Sequence, residues 1–352
     1  MFKNSIKMLL VFTIFTLVTA CGSTDDSSSS ERKEGNSSES LTMYIGVVEE
    51  QALKIAQEFE KDTGIKVDFV RMSGGEILSR VRAEKDNPKA SIWYGGPADS
   101  FVAAKDEELL HPYISPNSEN IDDQLKDEDG YWTGIYNEVL GFILDDRFFD
   151  ERGIDKPSTW KDLLNEEYNG QIAVANPGAS GTAFLLLSGM VQELGEEEGL
   201  QYMEELDNNV KQYTKSGSAP AKSAGLGEAA IGITFIHNGL RHMEEGFDNI
   251  SVVAPEDGTW SSTAAVGIIE GAPELDAAKE FVDWALTKEA QEIGQQFGSY
   301  QFPSNPDANI PEQAKPYENV NILDYDLDWS GENRAGLVEK WDSAIKEDKK
   351  EQ

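Results

Sequence analysis

Between residues 41 and 97 the hydrophobic pattern switches repeatedly between strand and helix, and that alternation leaves few folds open. Residues 41–48, LTMYIGVV, read as a strand. Residues 49–61 turn helical, with Ala52, Ile55, Ala56 and Phe59 at helical spacing, and Gly64 suits the helix end. A second strand spans 65–70. The turn Ser73-Gly74-Gly75 follows, then a helix over 76–85 carried by Ile77, Leu78 and Val81, and Pro88 breaks the chain. A third strand, 90–94, ends at Gly95-Gly96. Such a β-α-β-α-β order predicts a parallel sheet covered by helices. Ligands of such sheets bind beyond the carboxyl ends of the strands. The loops at 48–50, 71–75 and 95–99 are therefore the first places to look for a site.

A second series of the same kind follows. Residues 134–144 read as an apolar strand suited to a crossing between lobes. Residues 160–164 start a helix, and 171–174 form a strand. The loop 176–182 leads into a helix over 183–194 and an acidic helix over 196–206. Strands are expected at 229–235, 250–254 and 264–269, and one amphipathic helix at 277–297. No repeat of 20–50 residues is visible. A chain of 352 residues suits two domains. The expectation is an α/β protein of two doubly wound lobes, with a hinge and an interlobe cleft. Lobe one would comprise 41–138 plus 255–300, and lobe two 139–254 plus 301–345.

The first 20 residues, MFKNSIKMLLVFTIFTLVTA, have a basic start at Lys3 and Lys7 and then an uncharged apolar run. That run is about half a membrane span and fits a secretory signal peptide. It ends in Val18-Thr19-Ala20-Cys21-Gly22, which resembles a bacterial lipobox; that resemblance implies cleavage before Cys21 and acylation of its sulfur. Residues 21–40 are rich in Ser, Asp and Glu and cannot build a core, so they read as a flexible tether. The expected location is the outer face of a bacterial cell membrane.

Composition excludes several classes. The single cysteine rules out a disulfide scaffold, and the three histidines, His111, His237 and His242, lack zinc-site spacing. With 65 acidic and 30 basic side chains the net charge is −35, which argues against nucleic acid as a partner. Ser180 lies in GASGT, not in a G-x-S-x-G nucleophile elbow. Nothing marks an enzyme, a cofactor or a metal, and a monomer is expected.

Candidate site residues sit at predicted loop ends. Ser73 and Gly74 open a helix whose first amides attract an anion. The same residues fit an ordinary cap, with Glu76 completing a capping box. Ser180-Gly181-Thr182 repeats the device, and two helix starts facing one cleft would hold a dianion without any arginine. His237 and Asn238 are expected at a strand end, where they can donate to oxygen. Gly95 would let a ligand approach the backbone. Trp93, Tyr94, Trp132 and Tyr136 fit either stacking or core. Arg71, Arg80 and Arg82 are assigned to solvated or salt-bridged faces.

A resemblance extends this reading. The stretches FEKDTGIKVDFVRMSGGEILSRVRAEKDNPKASIWYGG, YWTGIY, PSTWKDLLNEEYNGQIAVANPGASGTAF, GEAAIGITFIHN, IIEGAPELDAAKEFVDWALTKEAQEIG and DYDLDWSGENRAGLVEKW lie within 41–341. In this order, behind a lipobox, they resemble the bacterial extracellular solute-binding proteins of ABC importers, in the ferric-iron-binding branch. The resemblance implies a type II periplasmic-binding fold that closes on a solute by hinge motion and delivers it to a permease driven by an ATPase. Ferric-binding members carry adjacent tyrosines where this chain has Ile236-His237-Asn238. A histidine followed by a short polar residue is similar to the sugar-phosphate and organophosphonate receptors. The sugar-phosphate type has Asp where this chain has Asn238, and GTWSS at 258–262 has no carboxylate after Gly258. The expected ligand is a small anionic organic solute bearing phosphate or phosphonate; the alternative is ferric iron or a ferric chelate.

Overall fold

The computed structural model describes residues 40–345. The expected signal peptide, Cys21 and nearly all of the expected tether lie outside the described residues.

The strands are β1 (Ser40–Ile45), β2 (Lys66–Arg71), β3 (Ile92–Pro97), β4 (Leu110–His111), β5 (Thr133–Asp145), β6 (Ile172–Ala175), β7 (Val210–Thr214), β8 (Ile231–Phe235), β9 (Ile250–Val253), β10 (Ser261–Ile269) and β11 (Phe302–Pro303). The helices are α1 (Glu49–Thr63), α2 (Gly74–Ala83), α3 (Asp99–Asp106), α4 (Asp146–Arg152), α5 (Gly181–Leu194), α6 (Glu196–Asp207), α7 (Ala219–Leu226), α8 (Ile236–Glu244), α9 (Leu275–Ala285), α10 (Lys288–Ile293) and α11 (Leu327–Ala344). The protein is mixed α/β, as the alternating pattern predicts.

The strand order is β2-β1-β3-β10-β5-β8-β6-β7. β1 pairs parallel with β2 and β3, and β6 pairs parallel with β7 and β8. Strand β5 joins the two groups. Its residues 133–139 pair with β10 and β11, and its residues 140–145 pair with β8 and β9, all antiparallel. One core gathers Leu41, Ile45, Phe59, Ile92 and Phe281 around β1 and β3. Another gathers Phe142, Trp160, Phe184, Trp260 and Trp341 around β5 and α5.

Local chemistry explains the boundaries. Helix α1 buries Ala52, Ile55, Ala56 and Phe59, and ends at Gly64 with φ +80°. Helix α5 is apolar nearly all round and is correspondingly buried on all sides over residues 181–191. The single helix expected over 277–297 is instead two. Thr287 stops the first and caps α10, its Oγ1 accepting from the Ala290 amide at 3.2 Å. The helix expected to start at 160 is only a short 3₁₀ turn, Lys161–Leu164. Strand β7 and helices α7 and α11 were not anticipated. α11 bridges the two groups: Arg334 pairs with buried Asp99 of α3 at 3.1 Å, and Ser330 hydrogen-bonds Ser188 of α5 at 2.7 Å.

Candidate functional site

All six parallel strands point their carboxyl ends at one cleft, the place where ligands of such sheets bind. β1 delivers Gly46, Val47 and Val48; β2 delivers Arg71, Ser73 and Gly74; β3 delivers Gly96 and Pro97. Opposite them, β6 leads to Ser180, Gly181 and Thr182, β7 to Gly217 and Ser218, and β8 to His237 and Asn238. Helices α1, α2, α5, α7 and α8 all begin beside this space. The first amides of a helix lack intrahelical partners, so this rim is rich in N–H dipoles.

Ser73, Gly74, Ser180, Gly181, Thr182, His237 and Asn238 line the cleft as the sequence suggests. Gly95 does not line it; its neighbour Gly96 does, and the Gly95 carbonyl accepts from the Trp93 indole at 2.9 Å. His237 and Asn238 do not end a strand. β8 stops at Phe235, and both residues occupy the first turn of α8. Asn238 Nδ2 donates to Thr234 Oγ1 at 3.0 Å, and Thr234 Oγ1 donates to the Gly217 carbonyl at 2.6 Å, so two loop ends are fixed together.

The two rims touch. Ser73 Oγ donates to the Lys215 carbonyl at 3.2 Å, and Arg71 Nη2 donates to Ser216 Oγ at 3.2 Å. The capping-box reading also holds in part, since Glu76 Oε2 accepts from the Ser73 amide at 3.0 Å. A β-carbon on Gly75 would stand 2.6 Å from the Gly178 carbonyl oxygen, and one on Gly181 would stand 2.7 Å from the Pro97 ring. A β-carbon on Gly217 would strike the Ser180 and Thr182 hydroxyls. Glycine at 75 and 181 is what lets the rims close together, and glycine at 217 lets two loops of one rim pack.

The expectation of an anion site without arginine is corrected. Arg80 and Arg82 do pair outside the cleft, with Glu84 and Glu107. Arg71, at the last residue of β2, lines it, and its Nε also donates to the Val47 carbonyl at 3.1 Å. Arg241 lines the cleft from the second turn of α8, 3.6 Å from Glu50. Arg71 was set aside with Arg80 and Arg82, although its place at the end of β2 could have singled it out; nothing local marked Arg241.

Glu138, Gln301 and Tyr136 complete the lining from β5 and the segment before β11. Burial pushes the Glu138 carboxyl up to about 8, against a hydrogen bond from Gln301 Nε2 at 3.3 Å. Burial, reinforced by the Arg241 cation, holds the His237 imidazole down at about 3. His237 Nε2 lies 3.6 Å from Glu138 Oε1, but these shifts keep both groups neutral at pH 7, so the contact is not an ion pair. His237 Nδ1 and Gln301 Oε1 are buried with no hydrogen-bond partner. Among the described residues no three His, Cys, Asp or Glu side chains gather as a metal cluster.

Comparison with known proteins agrees with this geometry. Residues 87–327 match the family of bacterial extracellular solute-binding proteins. The structure of the periplasmic binding protein AfuA from Actinobacillus pleuropneumoniae, with exogenous fructose-6-phosphate bound, superposes with a TM-score of 0.84 at 34% identity, covering 87% of this chain and 98% of that one. A probable ABC transporter periplasmic-binding protein of Sinorhizobium fredii is 27% identical over 83% of this chain and 82% of its own. A putative 2-aminoethylphosphonate-binding periplasmic protein of Salmonella typhimurium is 27% identical over 66% of this chain and 68% of its own. The type II periplasmic-binding fold, the cleft at its strand ends and the family match lead to one conclusion: the chain belongs to the bacterial extracellular solute-binding proteins, receptors of ABC importers rather than enzymes.

Proposed function

We propose that the cleft captures a small solute bearing a phosphate or phosphonate and presents it to the permease and ATPase of an importer. The observation that carries this reading is the gathering of Ser73, Ser180, Thr182 and Ser218 at three helix starts beside Arg71. Each phosphoryl oxygen would find N–H or O–H donors, and the local dipoles and the half-buried Arg71 would attract a dianion despite the net charge of −35. The ligands in the titles of the relatives, fructose-6-phosphate and 2-aminoethylphosphonate, share that group. The lobes would be residues 41–138 with 255–300 and 139–254 with 301–345, turning about the crossings near 138–139 and 254–255. The protein would act as a monomer held to the membrane by lipid on Cys21.

Calorimetry with inorganic phosphate, sugar phosphates and alkylphosphonates tests the reading. Ser180→Ala with Thr182→Ala should weaken binding at least about tenfold, the loss of one to two hydrogen bonds to a charged group, without lowering the melting temperature of the empty protein. Unchanged affinity would remove the anion site, and a response to ferric iron alone would replace it with the iron reading. Cys21→Ser should release the protein from the membrane fraction.

A further inference from the structure

The cleft is bridged at its mouth by charge as well as by hydroxyls. Arg241 sits in the second turn of α8, on the β6–β8 side, and lines the cleft. Glu50 sits in the first turn of α1, on the β1–β3 side. Arg241 Nη1 lies 3.6 Å from Glu50 Oε2, and Arg241 Nε lies 3.6 Å from Glu245 Oε1, one turn further along its own helix. The stem of Arg241 is gripped too. It packs on Gly298, where a β-carbon would stand 2.6 Å from Arg241 Cγ and 3.1 Å from its Cδ. Gly298, with φ +78°, ends the turn Gly294–Phe297, and Lys54 of α1 lies 5.4 Å from the centre of the Phe297 ring. One side chain of α8 therefore meets the opposite wall twice, through its charge and through its methylenes. Arg241 is mostly buried and Glu50 is exposed, so the pair stands at the lip of the cleft. Arg241 Nε is buried with no hydrogen-bond partner. At 3.6 Å the guanidinium is held by charge and packing rather than by fixed hydrogen bonds, so the contact can form and break as the walls move.

We propose that Arg241 is a positioning residue for closure: it clasps Glu50 when the two walls meet and so slows release of the solute. Glu245 holds the guanidinium on its own helix when the walls are apart. Contacts made only in the closed protein favour that form and act on the dissociation rate. The clasp goes beyond the phosphoryl reading, since it needs closure but no particular ligand chemistry. It also reverses the simplest electrostatic expectation. Removing an acid from the rim of an anion site should tighten binding, and so should freeing Arg241 to reach the solute. Removing Glu50 should instead loosen it.

The test uses the full chain with Cys21→Ser, spin-labelled through Gln57→Cys on α1 and Met243→Cys on α8, both exposed positions. Pulsed electron resonance gives the closed fraction, empty and with fructose 6-phosphate. Stopped-flow tryptophan fluorescence gives kon and koff for the same probe. Glu50→Gln should lower the closed-to-open ratio and raise koff by about 2- to 5-fold, the scale of a partly exposed ion pair, with kon unchanged. Molar salt should do the same to the parent chain and add nothing in Glu50→Gln. In an Arg241→Met background, Glu50→Gln should have no further effect. Glu49→Gln removes the neighbouring acid and is the control, with koff equal to or below that of the parent. Tighter binding in Glu50→Gln overturns the clasp and makes Arg241 a solute contact for which Glu50 competes. A closed fraction and koff that Glu50→Gln leaves unchanged also overturn it, as does an equal loss in the Arg241→Met background. If fructose 6-phosphate does not bind, that counts against the phosphoryl reading, and the empty chain decides on the clasp. A salt-sensitive closed fraction that falls in Glu50→Gln keeps it, and the absence of any difference overturns it.

Discussion

Replacing Gly75 with alanine should weaken solute binding while leaving the empty protein as stable as before, or more so. Gly75 lies in the first turn of α2, and alanine favours a helix over glycine by up to about 1 kcal/mol. The added methyl would stand 2.6 Å from the Gly178 carbonyl oxygen and 3.0 Å from the Ala179 carbonyl group. Ordinary contact needs a further 0.8 Å or so. Neither side yields easily. One is a helix start, and the other is a turn held by Asn176, which accepts from the Gly178 amide at 2.8 Å and the Ala179 amide at 3.1 Å. The overlap exists only when the rims touch, so it penalises the closed form alone. Overpacking costs about 1–3 kcal/mol, which translates to roughly 5- to 150-fold in Kd. Calorimetry would give the affinity, thermal melting the stability of the empty protein, and small-angle scattering the degree of closure with solute. Unchanged affinity would refute the reasoning. A fall in affinity with a matching fall in melting temperature would also refute it, because the glycine would then matter to the fold and not to closure.

Other perturbations follow from the same structure. The Glu138 carboxyl is raised from 4.5 to about 8, so its contribution is full below 4.5 and is lost as the pH rises through 8. Urea melts at pH 5.5 and 8.5 should show Glu138→Gln gaining about 3 kcal/mol on wild type at the higher pH, and parallel pH profiles would count against the buried carboxyl. His237 has the opposite sign: depressed from 6.5 to about 3, it stabilises above 6.5 and loses that contribution as the pH falls through 3. His237→Gln should therefore flatten the acid limb of the stability profile. Arg334→Met would strand Asp99, whose carboxyl burial already raises in spite of the guanidinium, and should cost about 3–5 kcal/mol in denaturant unfolding. Gly189→Ala would press a methyl to 2.5 Å from the Trp260 ring and should cost about 1–3 kcal/mol with an unchanged m-value.

Much of the architecture was legible in local pattern. Strand and helix periods differ, so β1, α1, β2, α2 and β3 could be placed from the spacing of Ile55, Phe59, Ile77 and Val81. Short hydroxyl residues and glycines before apolar runs marked the starts of α2 and α5, and those starts do reach the cleft. The failures are equally local in origin. Residues 277–297 keep a helical period across Thr287, and only the cap bond to the Ala290 amide shows that the helix restarts there. His237 and Asn238 follow an apolar run that continues the strand pattern, so the turn into α8 was hidden.

By itself the sequence determined the α/β class, the candidate anion-binding loops and the absence of a disulfide framework, because these depend on residue type and on spacings shorter than a helix. Tertiary structure decided which distant residues share one space. Arg71 meets Ser216 across 145 positions, and Gln301 meets Glu138 across 163. Charge also became meaningful only there: Glu138 is one of 65 acids in the chain, and what sets it apart is burial. Desolvation depends on what packs around a group, and no neighbouring residue in the sequence records that.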